Sequence, residues 1–149
     1  MIGAVAQQAP DFSGTYILKS SGMSDSRSSA HVPNVMWERV IKRVVQDSTS
    51  VTITLQGRAG EVTREYKLDG TKIRGEEPDG TPTVEWAEIK GKKLIIRSSI
   101  KTKGALQDVL KTQKWELSKD LKTLTVYEQL QAEGMHIVND SLTISYTRH

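Results

Sequence analysis

The sequence predicts an all-β protein, an antiparallel up-and-down β-barrel of about eight to ten strands. Two similar hairpins carry this prediction, each a strand with a tryptophan, a polar turn and a β-branched strand. The first hairpin runs from Trp86 to Ile96 and the second from Trp115 to Val126. Asp69-Gly70 adds a third signal, because this dipeptide favours the tight turns between antiparallel strands. Closure into a barrel removes the two exposed edges that such a run of hairpins would leave.

The elements before residue 50 are a strand, a long loop and a segment with helical periodicity. Residues 12–20 are the first predicted strand, and residues 20–34, rich in Ser, Gly and Asp, are a loop. A short helix is predicted over residues 34–46, although its β-branched side chains prefer strands. Its apolar side chains follow the spacing i, i+3, i+4, i+7, i+8 at Trp37, Val40, Ile41, Val44 and Val45.

From residue 50 onward the pattern is that of β-strands. Val51, Ile53 and Leu55 alternate with threonines, as in a half-buried strand. The following strand carries Val62, Arg64, Tyr66 and Leu68 on one face. Residues 101–110 fit a strand, a bulged loop or a helical turn. The remaining predicted strands are 71–74, 82–89, 93–100, 111–117, 121–130, 135–138 and 141–148.

The length and charge of the chain fit a single domain without a nucleic-acid partner. The chain has 149 residues, of which 36% are hydrophobic, and a formal charge of +3 from 21 basic and 18 acidic side chains. The densest basic patch is only Arg39, Lys42 and Arg43, whereas nucleic-acid binders present a basic stripe with exposed aromatics. No window approaches the ~20 apolar residues of a membrane-spanning helix, so no membrane span is predicted.

The first ten residues are predicted to be a disordered leader or the remnant of an export signal, ahead of a barrel domain at 11–149. Ala4-Val5-Ala6 has the small-x-small pattern of a signal cleavage site, without a basic or a full apolar segment before it. The chain has no cysteine, which excludes disulfides and thiol chemistry. The leader therefore predicts a periplasmic or secreted protein.

The residue types that carry chemistry form no recognised catalytic or metal-binding pattern. His31, His136 and His149 lie far apart and lack the spacing of metal ligands. Nucleophile and phosphate-binding motifs do not occur. We therefore predict no catalytic residue, no metal and no cofactor. One enzyme alternative stays open, in which two carboxylates inside the barrel act as general acid and base. The candidates are Glu85, Glu88, Glu116 and Glu128, although their alternation with apolar neighbours more simply predicts that they face outward.

Aromatic side chains are the stronger candidates for a binding site, because they combine flat apolar surface with a polar handle. Lining a cavity, they would contact a small hydrophobic molecule. The alternative is that they fill a small barrel completely, which would make the protein a structural or protein-interaction module. The predicted ligand-binding residues are Trp37, Tyr66, Trp86, Trp115 and Tyr127.

The opening from Asp11 to Leu18, which reads D-F-S-G-T-Y-I-L, resembles the first strand of calycins. Calycins are the superfamily of lipocalins and fatty-acid-binding proteins. Gly14-Thr15-Tyr16 is similar to their Gly-x-Trp hallmark, with tyrosine in the place of tryptophan. Together with the hairpin from Trp115 to Thr125, the opening resembles small lipocalin-like proteins that bacteria export.

The resemblance covers residues 11–149 and implies a lipocalin-like barrel that binds a lipid or another hydrophobic ligand without catalysis. It implies that Arg148 stacks over Tyr16 and, with Gly14, closes one end of the barrel. The helical segment is similar to the lid of fatty-acid-binding proteins, which hold a carboxylate with Arg and Tyr inside the barrel. Strand residues of these types, without a one-to-one match, are Arg64, Tyr66, Arg97 and Tyr127.

Overall fold

The computed structural model describes residues 10–23, 40–57, 60–76, 81–101, 109–132 and 140–149. Within these ranges the chain forms ten β-strands and no helix, so no described helix is long and apolar enough to cross a membrane. The strands are β1 (Gly14–Met23), β2 (Val40–Gln46), β3 (Ser50–Gly57), β4 (Gly60–Lys67), β5 (Ile73–Glu76), β6 (Pro82–Lys90), β7 (Lys93–Ile100), β8 (Val109–Leu117), β9 (Thr123–Ala132) and β10 (Asp140–Arg148).

All ten strands belong to one antiparallel sheet with the order β4-β3-β2-β1-β10-β9-β8-β7-β6-β5. Strands that follow each other in sequence also pair in space, except at β4 and β5, where the sheet has its two edges. The first strand joins the two series by pairing with both β2 and β10. This arrangement confirms the predicted all-β, up-and-down barrel of antiparallel strands.

The barrel is nearly closed rather than seamless. In the described residues, β4 and β5 share no backbone ladder, and side chains bridge the seam between them instead. Arg64 on β4 donates a hydrogen bond to the carbonyl of Glu76 on β5. One strand further, Tyr66 Oη on β4 donates to Glu85 Oε1 on β6 at 2.5 Å. The closure that a full ladder would provide is therefore supplied by side-chain hydrogen bonds.

The helix predicted over residues 34–46 is wrong for its second half, because Val40–Gln46 form β2. Residues 34–39 lie outside the described residues. The pairing of β2 with β3 shifts register between Ile41 and Arg43, and both Ile41 and Val44 are buried. A β-bulge of this kind brings two residues that are three apart onto the same face of the strand. The bulge therefore gives buried side chains in a strand the three-residue spacing that is typical of a helix.

The other strands begin and end close to their predicted positions. Within the open segment 101–110, Val109 and Leu110 begin β8, and residues 102–108 lie outside the described ranges. The predicted strand 135–138 is also outside them. β10 pairs with β9 on one side and with β1 on the other.

One end of the barrel is closed by residues 10–13 and by the turns that join β2–β3, β4–β5, β6–β7 and β8–β9. Phe12 is fully buried there and meets Trp115 edge to face, with ring centroids 6.1 Å apart. Tyr16 and Tyr146 meet in the same way at 6.2 Å. Tyr16 Oη also donates to the carbonyl of Phe12 at 2.6 Å. These four aromatic residues therefore seal this end. At the other end, the strands lead into segments that lie outside the described residues.

Gly14, Tyr16 and Arg148, which were predicted to close the barrel, lie together at this closed end. Arg148 pairs in register with Tyr16, and its Nη2 donates to the carbonyls of Ser13 at 2.6 Å and Asp11 at 3.0 Å. Stacking of Arg148 over the Tyr16 ring is not among the ring contacts of the described residues. A Cβ at Gly14 would lie 3.1 Å from Arg148 Nε, so glycine leaves room for the guanidinium.

We expect Arg148→Ala to lower the free energy of unfolding by about 2–4 kcal/mol, because it removes charge-assisted hydrogen bonds to two carbonyls. Arg148→Lys should recover less than half of this loss, since an ammonium lacks the planar fork. Urea unfolding followed by tryptophan fluorescence measures both. The control is Arg74→Ala on the exposed face of β5, with an expected change within about 0.5 kcal/mol. Equal losses for Arg148→Ala and Arg74→Ala would contradict this account of the closed end.

Candidate functional site

The inward-facing side chains of β6 to β9 form rows across the strands, because antiparallel pairing sets residues directly opposite one another. Numbered from the closed end, rows one to four are Ile89-Leu94-Trp115-Val126, Ala87-Ile96-Gln113-Glu128, Glu85-Ser98-Lys111-Leu130 and Thr83-Ile100-Val109. The first row is apolar, and the second and third rows bring polar and charged side chains into the interior. In the fourth row only Thr83 is polar.

Glu85 in the third row is only 1% exposed, and it is the centre of a polar group that we name the Glu85 cluster. The cluster consists of Glu85, Tyr66, Thr83, Arg64 and Lys111. Glu85 Oε1 accepts a hydrogen bond from Tyr66 Oη at 2.5 Å, and Oε2 accepts one from Thr83 Oγ1 at 2.6 Å. Arg64 and Lys111 add positive charge beside the carboxylate. Two neutral donors and two cations therefore serve one buried anion.

The cluster keeps Glu85 ionised. Burial by itself raises the pKa of Glu85, because a carboxylate loses its hydration in the interior. The hydrogen bonds from Thr83 and Tyr66, and then the charges of Arg64 and Lys111, outweigh burial and hold the pKa below its ordinary value of 4.5. A general acid working at neutral pH needs the opposite shift. Glu85 is therefore built as an internal counter-ion.

Gly75 allows the edge strand β5 to approach the Glu85 cluster. A Cβ at this position would lie 2.6 Å from Glu85 Oε2, 2.9 Å from Arg64 Nη1 and 3.0 Å from Thr83 Oγ1. Arg64 Nε is buried and has no hydrogen-bond partner among the described residues. The seam is thus packed so closely that any side chain at residue 75 would displace a member of the cluster.

A second chain of hydrogen bonds lies in rows one and two. Trp115 Nε1 donates to Gln113 Oε1 at 3.1 Å, and Gln113 Nε2 donates to Glu128 Oε1 at 2.5 Å. Trp115 is 1% exposed and Glu128 is 3% exposed. The indole therefore uses its polar handle on the interior side and packs its ring against Phe12 at the closed end.

Beyond the Glu85 cluster, apolar side chains keep part of their surface accessible. Ile100 and Val109 are opposite each other in the fourth row, and both are only half-buried. Leu55 on β3 is likewise half-buried and packs against the core from another wall. At the closed end, by contrast, Leu94 and Leu124 have no exposed surface. The described interior therefore changes from a sealed apolar floor through a polar middle to a partly open apolar wall.

The structure brings two of the five predicted ligand-binding residues, Tyr66 and Trp115, to the interior. Trp86 lies on the outer face, because its neighbours Glu85 and Ala87 are both buried inside. Its ring lies beneath Lys72, whose Nζ is 4.8 Å from the ring centroid.

Tyr127 is 36% exposed and lines a groove on the outside of the barrel. Trp37 lies outside the described residues.

The polar side chains of the second and third rows were not predicted to lie together in the interior. The carboxylates were expected to point outward, yet Glu85 and Glu128 face the interior. Glu88 does lie on the outer face, where it pairs with Arg97 at 3.0 Å. The sequence does contain a signal for the inward position of Glu85, because Glu85, Ala87 and Ile89 are two residues apart and therefore share one face of β6. In the part of the chain that the structure describes, no three His, Asp or Glu side chains are arranged to hold a metal ion.

No family model and no curated protein sequence matches this chain. Several solved structures do match it in fold. Echinococcus granulosus fatty-acid-binding protein 1 is 12% identical with a TM-score of 0.62, covering 92% of this chain and 96% of that chain. The fatty-acid-binding protein of Drosophila melanogaster brain is 17% identical with a TM-score of 0.58, covering 91% and 98%.

Zebrafish ileal bile acid-binding protein, in complex with cholic acid, is 16% identical with a TM-score of 0.63. The match covers 93% of this chain and 98% of that chain. This chain is therefore similar in fold to fatty-acid-binding proteins, which confirms the calycin-like barrel.

We expect the stability of the protein to fall as the pH drops below 4.5, because the unfolded chain then binds a proton at Glu85 that the folded chain still excludes. The loss should be complete only below the lowered pKa of the folded state. Glu85→Gln should be less stable at neutral pH and should show a flatter acid limb. Urea midpoints from neutral pH to about pH 3 measure both effects.

The control for this pH series is Glu65→Gln, because Glu65 is next to Tyr66 in sequence but exposed on the outer face of β4. It should keep the acid limb of the wild type. An acid limb that is unchanged in Glu85→Gln would contradict the assigned role of the carboxylate.

Proposed function

We propose that this protein binds a small hydrophobic molecule inside the barrel and does not alter it chemically. The observation that carries the proposal is the partly open apolar wall above a group of converging polar side chains. An interior of this kind is typical of ligand sites, where apolar surface is combined with a few placed polar groups. Solved structures with this fold include a fatty-acid-binding protein and a bile acid-binding protein in complex with cholic acid.

Burial of the ligand's apolar surface would provide the affinity, at roughly 25 cal/mol per Å². The side chains available for this contact are Leu55, Ile100 and Val109, since each faces the interior and retains accessible surface. Polar groups in the third row would orient the ligand. Of the predicted contacts, Tyr66 is next to this region, and Trp37 as part of a lid remains a prediction.

The half-buried fourth row favours ligand binding over a completely filled barrel. In a filled barrel, Ile100 would be as buried as the inward side chains that precede it on β7, which are Leu94, Ile96 and Ser98. The enzyme alternative receives less support, because both oxygens of Glu85 accept hydrogen bonds and the pKa is lowered. Proton donation at neutral pH requires a raised pKa.

We also propose that the protein is exported and related to small lipocalin-like proteins of bacteria. Two sequence features support this proposal, the opening from Asp11 to Leu18 and the Ala4-Val5-Ala6 pattern.

A substitution in the fourth row tests whether binding takes place inside. We expect the uncharged dye Nile red to bind the wild type with increased fluorescence and saturation at one dye per chain. Val109→Trp should weaken this binding at least about tenfold, because the larger side chain occupies the accessible space beside Ile100. Fluorescence titration measures the affinity, and urea unfolding verifies that each variant is folded.

The matched control is Leu110→Trp, because Leu110 is the next residue of β8 and its side chain is on the outer face. Its affinity for Nile red should equal that of the wild type. Unchanged binding in Val109→Trp together with weaker binding in Leu110→Trp would place the dye on the outer surface and contradict the proposal.

A further inference from the structure

We propose that the interior selects an uncharged lipid with a hydroxyl head group, such as a long-chain alcohol, over a fatty carboxylate. This inference rests on the proposed function and specifies the class of its ligand. Its basis is that a carboxylate of the chain itself, Glu85, already occupies the two hydroxyl donors of the cluster and balances the positive charge beside them.

The two hydroxyl donors in the Glu85 cluster are committed to Glu85. Tyr66 Oη reaches Glu85 Oε1 at 2.5 Å, and Thr83 Oγ1 reaches Oε2 at 2.6 Å. A hydroxyl has a single proton to donate, so neither group can serve a second anion without releasing the first. Releasing Glu85, which is 1% exposed, would leave an uncompensated carboxylate in the interior.

The formal charge of the described interior is also balanced. Four ionisable side chains of opposite sign lie in or beside the polar rows: Arg64 and Lys111 as cations, and Glu85 and Glu128 as anions. A ligand carboxylate would add a third negative charge within this low-dielectric space. Two carboxylates in proximity repel each other, and one of them must take up a proton to remain there.

A hydroxyl head group avoids this cost and suits the cluster. Each carboxylate oxygen has two lone pairs, and the hydrogen bonds from Tyr66 and Thr83 use one on each oxygen of Glu85. A ligand hydroxyl beside the cluster adds no charge and displaces neither of these two donors.

The alkyl chain of such a ligand has a place to lie. Residues two apart on a strand are about 6.6 Å apart, so the fourth row begins about that distance beyond Glu85. An alcohol whose hydroxyl lies at the third row therefore runs its alkyl chain past the half-buried Ile100 and Val109.

Competition with Nile red tests the selection, using dodecyl alcohol, dodecanoate and dodecylamine at neutral pH. These three ligands share an alkyl chain and differ in head-group charge. We expect the wild type to bind dodecyl alcohol at least about tenfold more tightly than dodecanoate. In Glu85→Gln one negative charge is lost and the cations are in excess, so dodecanoate should gain at least about tenfold in affinity.

Two further variants complete the design. Glu88→Gln is the matched control, because Glu88 is on the same strand but pairs on the outer face with Arg97 at 3.0 Å. It should leave the ratio of the two affinities unchanged. Lys111→Met removes an interior cation and should weaken dodecanoate further. If Glu85→Gln does not fold, the selection is tested by Lys111→Met together with the ratio of the wild-type affinities for dodecyl alcohol and dodecanoate.

The outcomes separate this inference from the proposed function. Dodecanoate binding as tightly as the alcohol to the wild type, or dodecylamine binding most tightly, would overturn the selection but leave ligand binding intact. An equal gain for dodecanoate in Glu85→Gln and Glu88→Gln would also overturn it. If Nile red binds outside the barrel and none of the three ligands displaces it, the proposed function itself fails.

Discussion

The hydrogen bond from Tyr66 to Glu85 is the interaction on which the rest of the structure depends. It connects β4 to β6 across the one place where the sheet has no described backbone ladder. An exposed sheet edge is a liability, and proteins cover it or pair it. Here the edges are joined by an ionised side chain and its donors, and Gly75 gives β5 the room to lie against them. Closure of the barrel and the charge of its interior are therefore decided by the same carboxylate.

The closed end and the fourth row of the barrel differ in how deeply their side chains are buried. The closed end is sealed by aromatic rings and by the hydrogen bonds of Arg148, and Phe12, Leu94 and Leu124 have no exposed surface there. The middle holds the polar rows, in which Tyr66, Thr83 and Gln113 donate to the buried carboxylates of Glu85 and Glu128 at 2.5–2.6 Å. Buried polar groups of this kind stabilise a fold only when they are paired, and they then fix one arrangement. The partly open wall at the fourth row is left to contact a guest.

Much of the fold followed from local sequence, because alternating apolar residues and strong turn dipeptides act within a few residues of each other. The prediction was wrong at β2, where a bulge at Lys42 gave Ile41 and Val44 the spacing of a helix. It was incomplete at β6, because Trp86 has the largest apolar side chain of the strand and was therefore expected to face the interior. Ile89, three residues later, is on the opposite face and points inward with Glu85. Glu85 is stabilised in this position by Tyr66 and Lys111. Both residues are distant from Glu85 in sequence, so a local sequence pattern could not predict the contact.

The central claim is that Glu85 is ionised inside the barrel because Thr83, Tyr66, Arg64 and Lys111 hold its charge. The most direct measurement is the pH dependence of the side-chain carboxyl carbon of Glu85, followed by carbon NMR and assigned from the spectrum of Glu85→Gln. We predict an ionised carboxylate at neutral pH that takes up its proton below 4.5, and a higher titration point in Tyr66→Phe. A carboxyl group that is protonated at neutral pH, or that titrates identically in Tyr66→Phe, would contradict the account.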